Sequence, residues 1–200
     1  MAIKDDIKQL REHSKKRNFI QTFDLIINLK NINLKNPENK ISKELVLPHG
    51  RGKEIKICII GEKEQINRKK LEELARNKKE AKAFSKKYDF FLAEAPLMPI
   101  VGKTIGRFLG PKGKMPKPIA PNVDKAKLIE LAKKSVRISV KTEPTIKCPV
   151  GTEQMEDEKI EENIKFVLKN VESMLPKGKS QIKDILLKLT MSKPVKLSFK

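Results

Sequence analysis

Between Met98 and Pro121 the chain reads MPIVGKTIGRFLGPKGKMPKPIAP, with four glycines, five prolines, five basic residues and no acidic one. Proline fixes its own φ and restricts the residue before it, while glycine admits left-handed backbone. So dense a mixture predicts a shaped, basic surface loop and not an ordinary helix or core strand. Regular elements must then lie on either side of it.

Periodicity locates them. Phe23, Leu25, Ile27 and Leu29 alternate with Thr22, Asp24, Ile26 and Asn28, the pattern of a half-buried strand. Before it, residues 4–16 place Ile7 and Leu10 at helical spacing and end in Lys15, Lys16 and Arg17. A short strand at Glu44–Leu47 runs into the hinge-like Pro48, His49 and Gly50. Lys56–Ile60 reads as an apolar strand, and Lys63–Lys86 as a charged helical segment with a thin face of Leu71, Leu74, Ala75 and Ala81. A further strand is predicted at Tyr88–Ala93. After the loop, Asn122 or Asp124 caps a helix expected to bury Leu128, Ile129 and Leu131, and Ser135–Lys141 alternates as a strand. Strands alternating with helices predict parallel α/β construction between residues 50 and 149. A second junction at Val150 and Gly151 leads to a helix from near Met155, with Ile160, Ile164, Val167, Leu168, Val171 and Leu175 on one stripe. Two strand-like runs occupy residues 182–200.

Forty-five lysines and arginines against 25 acidic residues give a formal charge of +20, which a folded chain tolerates best beside a polyanion. Nucleic acid is the partner this favours. A membrane surface would attract the same charge, but there is no 18-residue apolar stretch and no apolar signal core at the start, so a soluble cytoplasmic protein is expected.

Catalytic and cofactor chemistry find little support. Gly102-Lys103-Thr104 ends like a phosphate-binding loop, yet the glycine needed five positions earlier is Leu97, and residues 106–113 lack the three-glycine dinucleotide spacing. His13 and His49 form no metal pair or nucleophile–base dyad. Cys58 and Cys148 lack zinc spacing and are expected as reduced, buried thiols. Glu153, Glu156, Asp157, Glu158, Glu161 and Glu162 are expected as a solvated helix start. No catalytic residue, metal or cofactor is predicted. Basic positions at Lys15, Lys16, Arg17, around Lys56, and at Lys103, Arg107, Lys112, Lys114 and Lys117 suit phosphate contacts. With one Tyr, eight Phe and no Trp, folded RNA fits better than an aromatic platform for single strands. A nucleotide-dependent enzyme and a nonspecific basic chaperone are the competing classes.

LVLPHGRGKE at 45–54, VGKTIGRFLGPKGKMPKP at 101–118, CPVG at 148–151 and Thr190-Met191-Ser192 together resemble the family of ribosomal protein one of the large subunit, the side-stalk protein. RNFIQTFDLIINLK at 17–30 and LPHGRGKE look like its archaeal or eukaryotic branch. The resemblance implies an α/β fold: a discontinuous two-layer α+β domain from residues 1–49 and 150–200, carrying an inserted three-layer Rossmann-like domain from 50–149. Its hinges would be Pro48, His49, Gly50, Val150 and Gly151. It further implies a principal RNA site at Thr190, Met191, Ser192, Phe19 and Asp24, with Lys15, Lys16 and Arg17 nearby and the 98–121 loop as a secondary basic face. Thr190 and Ser192 would offer hydroxyls to the ribose and backbone of the RNA. Relatives usually carry glutamate where Asp24 stands, and a small hydroxylic residue where Asp184 stands, so Asp184 is left out of the site. The implied function is that of a monomer within the cytoplasmic ribosome. It would bind large-subunit rRNA at the mobile side stalk, assist release of deacylated tRNA from the exit site, and repress translation by binding its own mRNA.

Overall fold

The computed structural model describes residues 3–197 except 35, 37, 38, 40, 63, 65, 121–123 and 141, together with all but the side chain of 125. The proposed cap Asn122, the loop end Pro121, the helix start Lys63, the strand end Lys141 and positions 198–200 lie outside the described residues. The chain forms a mixed α/β fold of two compact units, one from residues 1–53 with 134–200, the other from 54–133.

In the terminal unit, β1 (Thr22–Leu29) is flanked on both sides by antiparallel neighbours, β7 (Thr145–Thr152) and β8 (Ile182–Leu189), and β9 (Val195–Lys196) pairs with β8. The alternation behaves as predicted: Phe23, Leu25, Ile27 and Leu29 are buried, while Thr22, Asp24, Ile26 and Asn28 are half-buried on the other face. The buried set packs in one core with α1 (Ile3–Glu12) and α7 (Asp157–Met174). Burying Ile3, Ile7 and Leu10 at roughly 1.5–3 kcal/mol each stabilises α1, a helix too short to persist alone in water. The predicted stripe of α7 is buried from Ile160 to Leu175.

The acidic cluster at the start of α7 is more than a solvated terminus. Arg11 donates to Asp157 Oδ1 at 2.8 Å, to the Met155 carbonyl at 2.6 Å and to the Glu153 carbonyl, with its guanidinium 5.2 Å from the centroid of Phe23. Lys4 pairs with Glu158 at 2.6 Å. One arginine thus ties α1 to the β7–α7 corner.

A second sheet of this unit pairs β2 (Ser42–Val46) with β6 (Ser135–Ser139), antiparallel. This pairing moves the second boundary. The expected inserted segment 50–149 took in β6 and most of β7, but β6 hydrogen-bonds to β2 and β7 to β1, so the second boundary falls at 133/134. Val150 and Gly151, expected at a hinge, lie inside β7; a Cβ on Gly151 would stand 3.0 Å from Ile160 Cγ1, so the glycine serves close strand–helix packing. Pro48–Gly50 does form a turn, with Gly50 at φ +67°.

The other unit holds a parallel sheet of β3 (Ile57–Ile60), β4 (Phe90–Glu94) and β5 (Lys117–Ile119) in that order. The single helical segment expected at 63–86 is two helices, α2 (Arg68–Arg76) and α3 (Lys78–Lys87), because Asn77 Oδ1 accepts from the amides of Lys79 and Glu80 and starts a new helix. The 98–121 segment is also more regular than its composition predicts. It contains α4 (Met98–Thr104), α5 (Gly106–Leu109) and β5, and it buries Val101, Ile105, Leu109 and Ile119. Pro99 sits in the first turn of α4, where no amide donor is needed, and Pro118 lies on the outermost strand of this sheet. In α6 (Lys125–Lys134), Leu128 and Ile129 are half-buried and Leu131 is exposed, contrary to the expectation that all three are core.

Candidate nucleic-acid interface

The turn after β8 is held against the chain entering β1 by a compact set of polar contacts. Thr190 Oγ1 accepts the Thr22 amide at 3.0 Å and stands 3.4 Å from the Thr22 carbonyl, to which it donates. Met191 N–H donates to Gln21 Oε1 at 3.2 Å. Ser192 Oγ accepts the Leu189 amide at 2.8 Å and lies within donating reach of the Leu189 and Lys193 carbonyls, at 3.3 and 3.1 Å. Gln21 is buried and in turn reaches Glu153, which accepts the Gln21 amide at 3.0 Å, and the Lys15 carbonyl at 3.4 Å. Three segments therefore converge on one glutamine.

This arrangement changes the expected role of the two hydroxyls. A hydroxyl has one hydrogen and two lone pairs. At both Thr190 and Ser192 the hydrogen and one lone pair are used on the protein's own backbone. Each retains a lone pair that can accept from a donor such as a ribose 2′-OH.

Asp24 matches this character. Its Cα partners are Lys188 on β8 and Pro149 on β7, on the half-exposed face of the sheet. Burial pushes its carboxyl above the usual range, and Lys188 partly opposes the shift. Asp184, four residues before Lys188, is neutralised instead by Lys196 at 2.6 Å, which holds its carboxyl below the ordinary value.

Phe19 and Met191 are 50% and 60% exposed, unusual for large apolar side chains, and Lys15, Lys16 and Arg17 are exposed just past the end of α1. Phe19, Asp24, Thr190–Ser192 and the basic triplet all lie in the terminal unit, where hydrogen bonds join the turn to Gln21 and Thr22, and Gln21 to Lys15. Lys103, Arg107, Lys112, Lys114 and Lys117 belong to the other unit. There, Lys112 donates to Ser85 Oγ at 2.6 Å, Lys114 donates to the Tyr88 carbonyl at 2.7 Å, and Arg107 lies 4.8 Å from the Phe108 centroid. Desolvation, then the neighbouring Lys114, Lys86 and Lys82, lower the Lys112 pKa.

Sequence reasoning missed Gln21 and Asn163. Asn163 is fully buried in α7; its Oδ1 accepts the His49 amide at 3.2 Å, and its Nδ2 donates to the carbonyls of Gly50 at 2.9 Å and Val150 at 2.8 Å. Its place on the apolar stripe was the available signal. His49 itself contacts Glu162 at 2.5 Å through Nε2. Cys58 and Cys148 are free and buried, with thiols pushed up to about 12 mainly by burial. Among the described residues no cluster of three potential ligands could hold a metal ion, and no helix is long and apolar enough to cross a membrane.

Two α/β units, one with a polar turn beside Lys15, Arg17 and Lys193 and exposed apolar groups, the other with Lys103, Arg107, Lys112, Lys114 and Lys117, define a strongly basic α/β protein. Residues 10–193 match the model of the Ribosomal protein L1p/L10e family. Similar proteins include the large ribosomal subunit protein uL1 of Pyrococcus abyssi, 43% identical over 98% of this chain and 94% of that protein. The uL1 protein of Methanocaldococcus jannaschii is 44% identical over the same shares, and that of Methanothermobacter thermautotrophicus is 38% identical over 98% of each. The chain belongs to the ribosomal protein L1 family, whose members are structural proteins of the large subunit and not enzymes, and its place is the cytoplasmic ribosome.

Proposed function

We propose that the terminal unit binds the rRNA of the mobile side stalk through Thr190, Met191 and Ser192, with Asp24 and Phe19 beside them and Lys15, Lys16 and Arg17 on the phosphates. The observation that carries this reading is the turn itself: its hydroxyls are held in place by backbone amides with a lone pair to spare, while Met191 stands exposed at its tip. Acceptors select ribose hydroxyls and base amino groups, cations hold the backbone, and the apolar tip gains by being covered. The other unit assists release of deacylated tRNA from the exit site through the exposed Lys103, Arg107, Lys112 and Lys117, with Lys114 behind them. The same terminal site, recognising a similar RNA fold in the protein's own mRNA, represses its translation. The family relationship supports both of these roles.

Competition binding at physiological salt between a stalk rRNA fragment and an unrelated duplex tests the principal site. Met191→Asp or Thr190→Ala is expected to weaken the fragment much more than the duplex. Equal weakening of both would show that the turn contributes no specificity.

A further inference from the structure

A cavity of about 550 Å³ opens between the C-terminal end of α1 and the turn after β8, wholly within the terminal unit. That volume lies within the range of roughly 300–1,000 Å³ typical of sites that enclose a small organic group. Its apolar lining comes from Leu10, 2% exposed, with the partly buried Val195 and the exposed Met191. Lys15, Arg17 and Lys193 also line it, and among the described residues no carboxylate does. Gln9 and Ser14 add groups that both donate and accept, and His13 is fixed by its own backbone contact, Nδ1 donating to the Gln9 carbonyl at 2.8 Å.

An apolar floor beside three basic side chains, with short polar groups around it, complements one ligand chemistry: a flat heteroaromatic ring carrying a phosphate. We propose that the cavity receives one unstacked nucleotide of the bound RNA, its base against Leu10, Met191 and Val195 and its phosphate at Lys15, Arg17 and Lys193. This rests on the assignment of the adjoining turn to RNA. Met191 thereby has two contacts, the RNA strand passing over the turn and the base turned in beside it. Apolar and guanidinium surfaces both accept a base face without regard to its identity, while the Ser14 hydroxyl reads its edge.

The test is an abasic scan. Each unpaired nucleotide of a stalk rRNA fragment is replaced in turn by an abasic ribose, and affinity is measured for the wild-type chain, for Gln9→Trp, which fills the cavity from an exposed helix position, and for Gln9→Ala, which leaves it open. In the wild type and in Gln9→Ala, removing the base at one position is expected to cost about tenfold in affinity. In Gln9→Trp the intact fragment should bind about tenfold more weakly, with no further loss at that position. Specific binding of the fragment with no position-dependent loss, or with losses that simply add in Gln9→Trp, refutes the cavity alone. Failure of the wild type to distinguish the fragment from an unrelated duplex refutes the turn as an RNA site as well.

Discussion

Asn163→Ala removes a side chain that satisfies three backbone groups. The His49 amide is at the surface, where water replaces the lost partner, but Gly50 and Val150 are buried. An unpaired buried polar group costs about 1–3 kcal/mol. Water entering the small polar void recovers part of the cost for two carbonyls, leaving a loss of about 2–4 kcal/mol. Because the two units need not unfold together, hydrogen exchange of the β1 and β7 amides reads the effect better than one melting curve. At 1.4 kcal/mol per tenfold, their exchange should accelerate roughly 30- to 1,000-fold. Asn163→Asp separates hydrogen bonding from mere volume. The carboxylate still accepts from His49 but sets negative charge against two carbonyl oxygens, so its folded-state pKa is raised. The native form then binds more protons than the unfolded form, and stability falls as pH rises through the window between the two values. The aspartate variant should be less stable than the alanine variant at pH 7 and recover on acidification. Loss below about 0.5 kcal/mol for Asn163→Ala, within the range of an ordinary surface substitution, would refute the bonding role. So would a pH-independent deficit for Asn163→Asp.

Gly52 has φ +68°, and a Cβ there would come within 2.6 Å of Met155 Sδ and Thr152 Oγ1, so Gly52→Ala should destabilise the terminal unit by about 1–3 kcal/mol in denaturant titration. Gly102 lies in α4 where a Cβ meets nothing within 4 Å, so Gly102→Ala should stabilise its own unit by about 0.4–1 kcal/mol in the same assay. Asp24→Asn should increase stability above the carboxylate range, because burial disfavours the charge; the gain should vanish as pH falls through the raised pKa, while RNA affinity drops at every pH where Asp24 is ionised. Both thiols, at about 12, should resist labelling by a thiol reagent at pH 8 until denaturant opens the fold.

Elements with a clean period were legible from residues alone. The two-residue alternation of β1 and the apolar stripe of α7 each had one physical solution, and the structure adopts it. Pairing was not legible, since Ser135–Ser139 reads as the same strand whether its partner is a parallel neighbour or β2. That ambiguity displaced the second boundary. The glycine- and proline-rich segment misled for another reason: composition counts prolines, whereas position decides their effect, and Pro99 falls where a helix tolerates it. At the candidate site the turn and Phe19 were named through resemblance. Gln21 carried no signal, because a glutamine before a strand is ordinarily a solvated residue and only the fold reveals that Lys15, Met191 and Glu153 surround it.

The central position of β1 also sets an order of events during synthesis. Leu29 emerges well before either neighbour, β7 beginning at residue 145 and β8 at 182. At about 5–20 residues per second, the wait is roughly 6–30 s, during which both edges of β1 lack their strands and its four large apolar side chains lack most of their native core. Residues 54–133 are meanwhile complete and free to fold. The inner unit is therefore complete as a sequence before either neighbour of β1 exists, whereas the terminal unit has to wait for strands that lie more than a hundred residues further on.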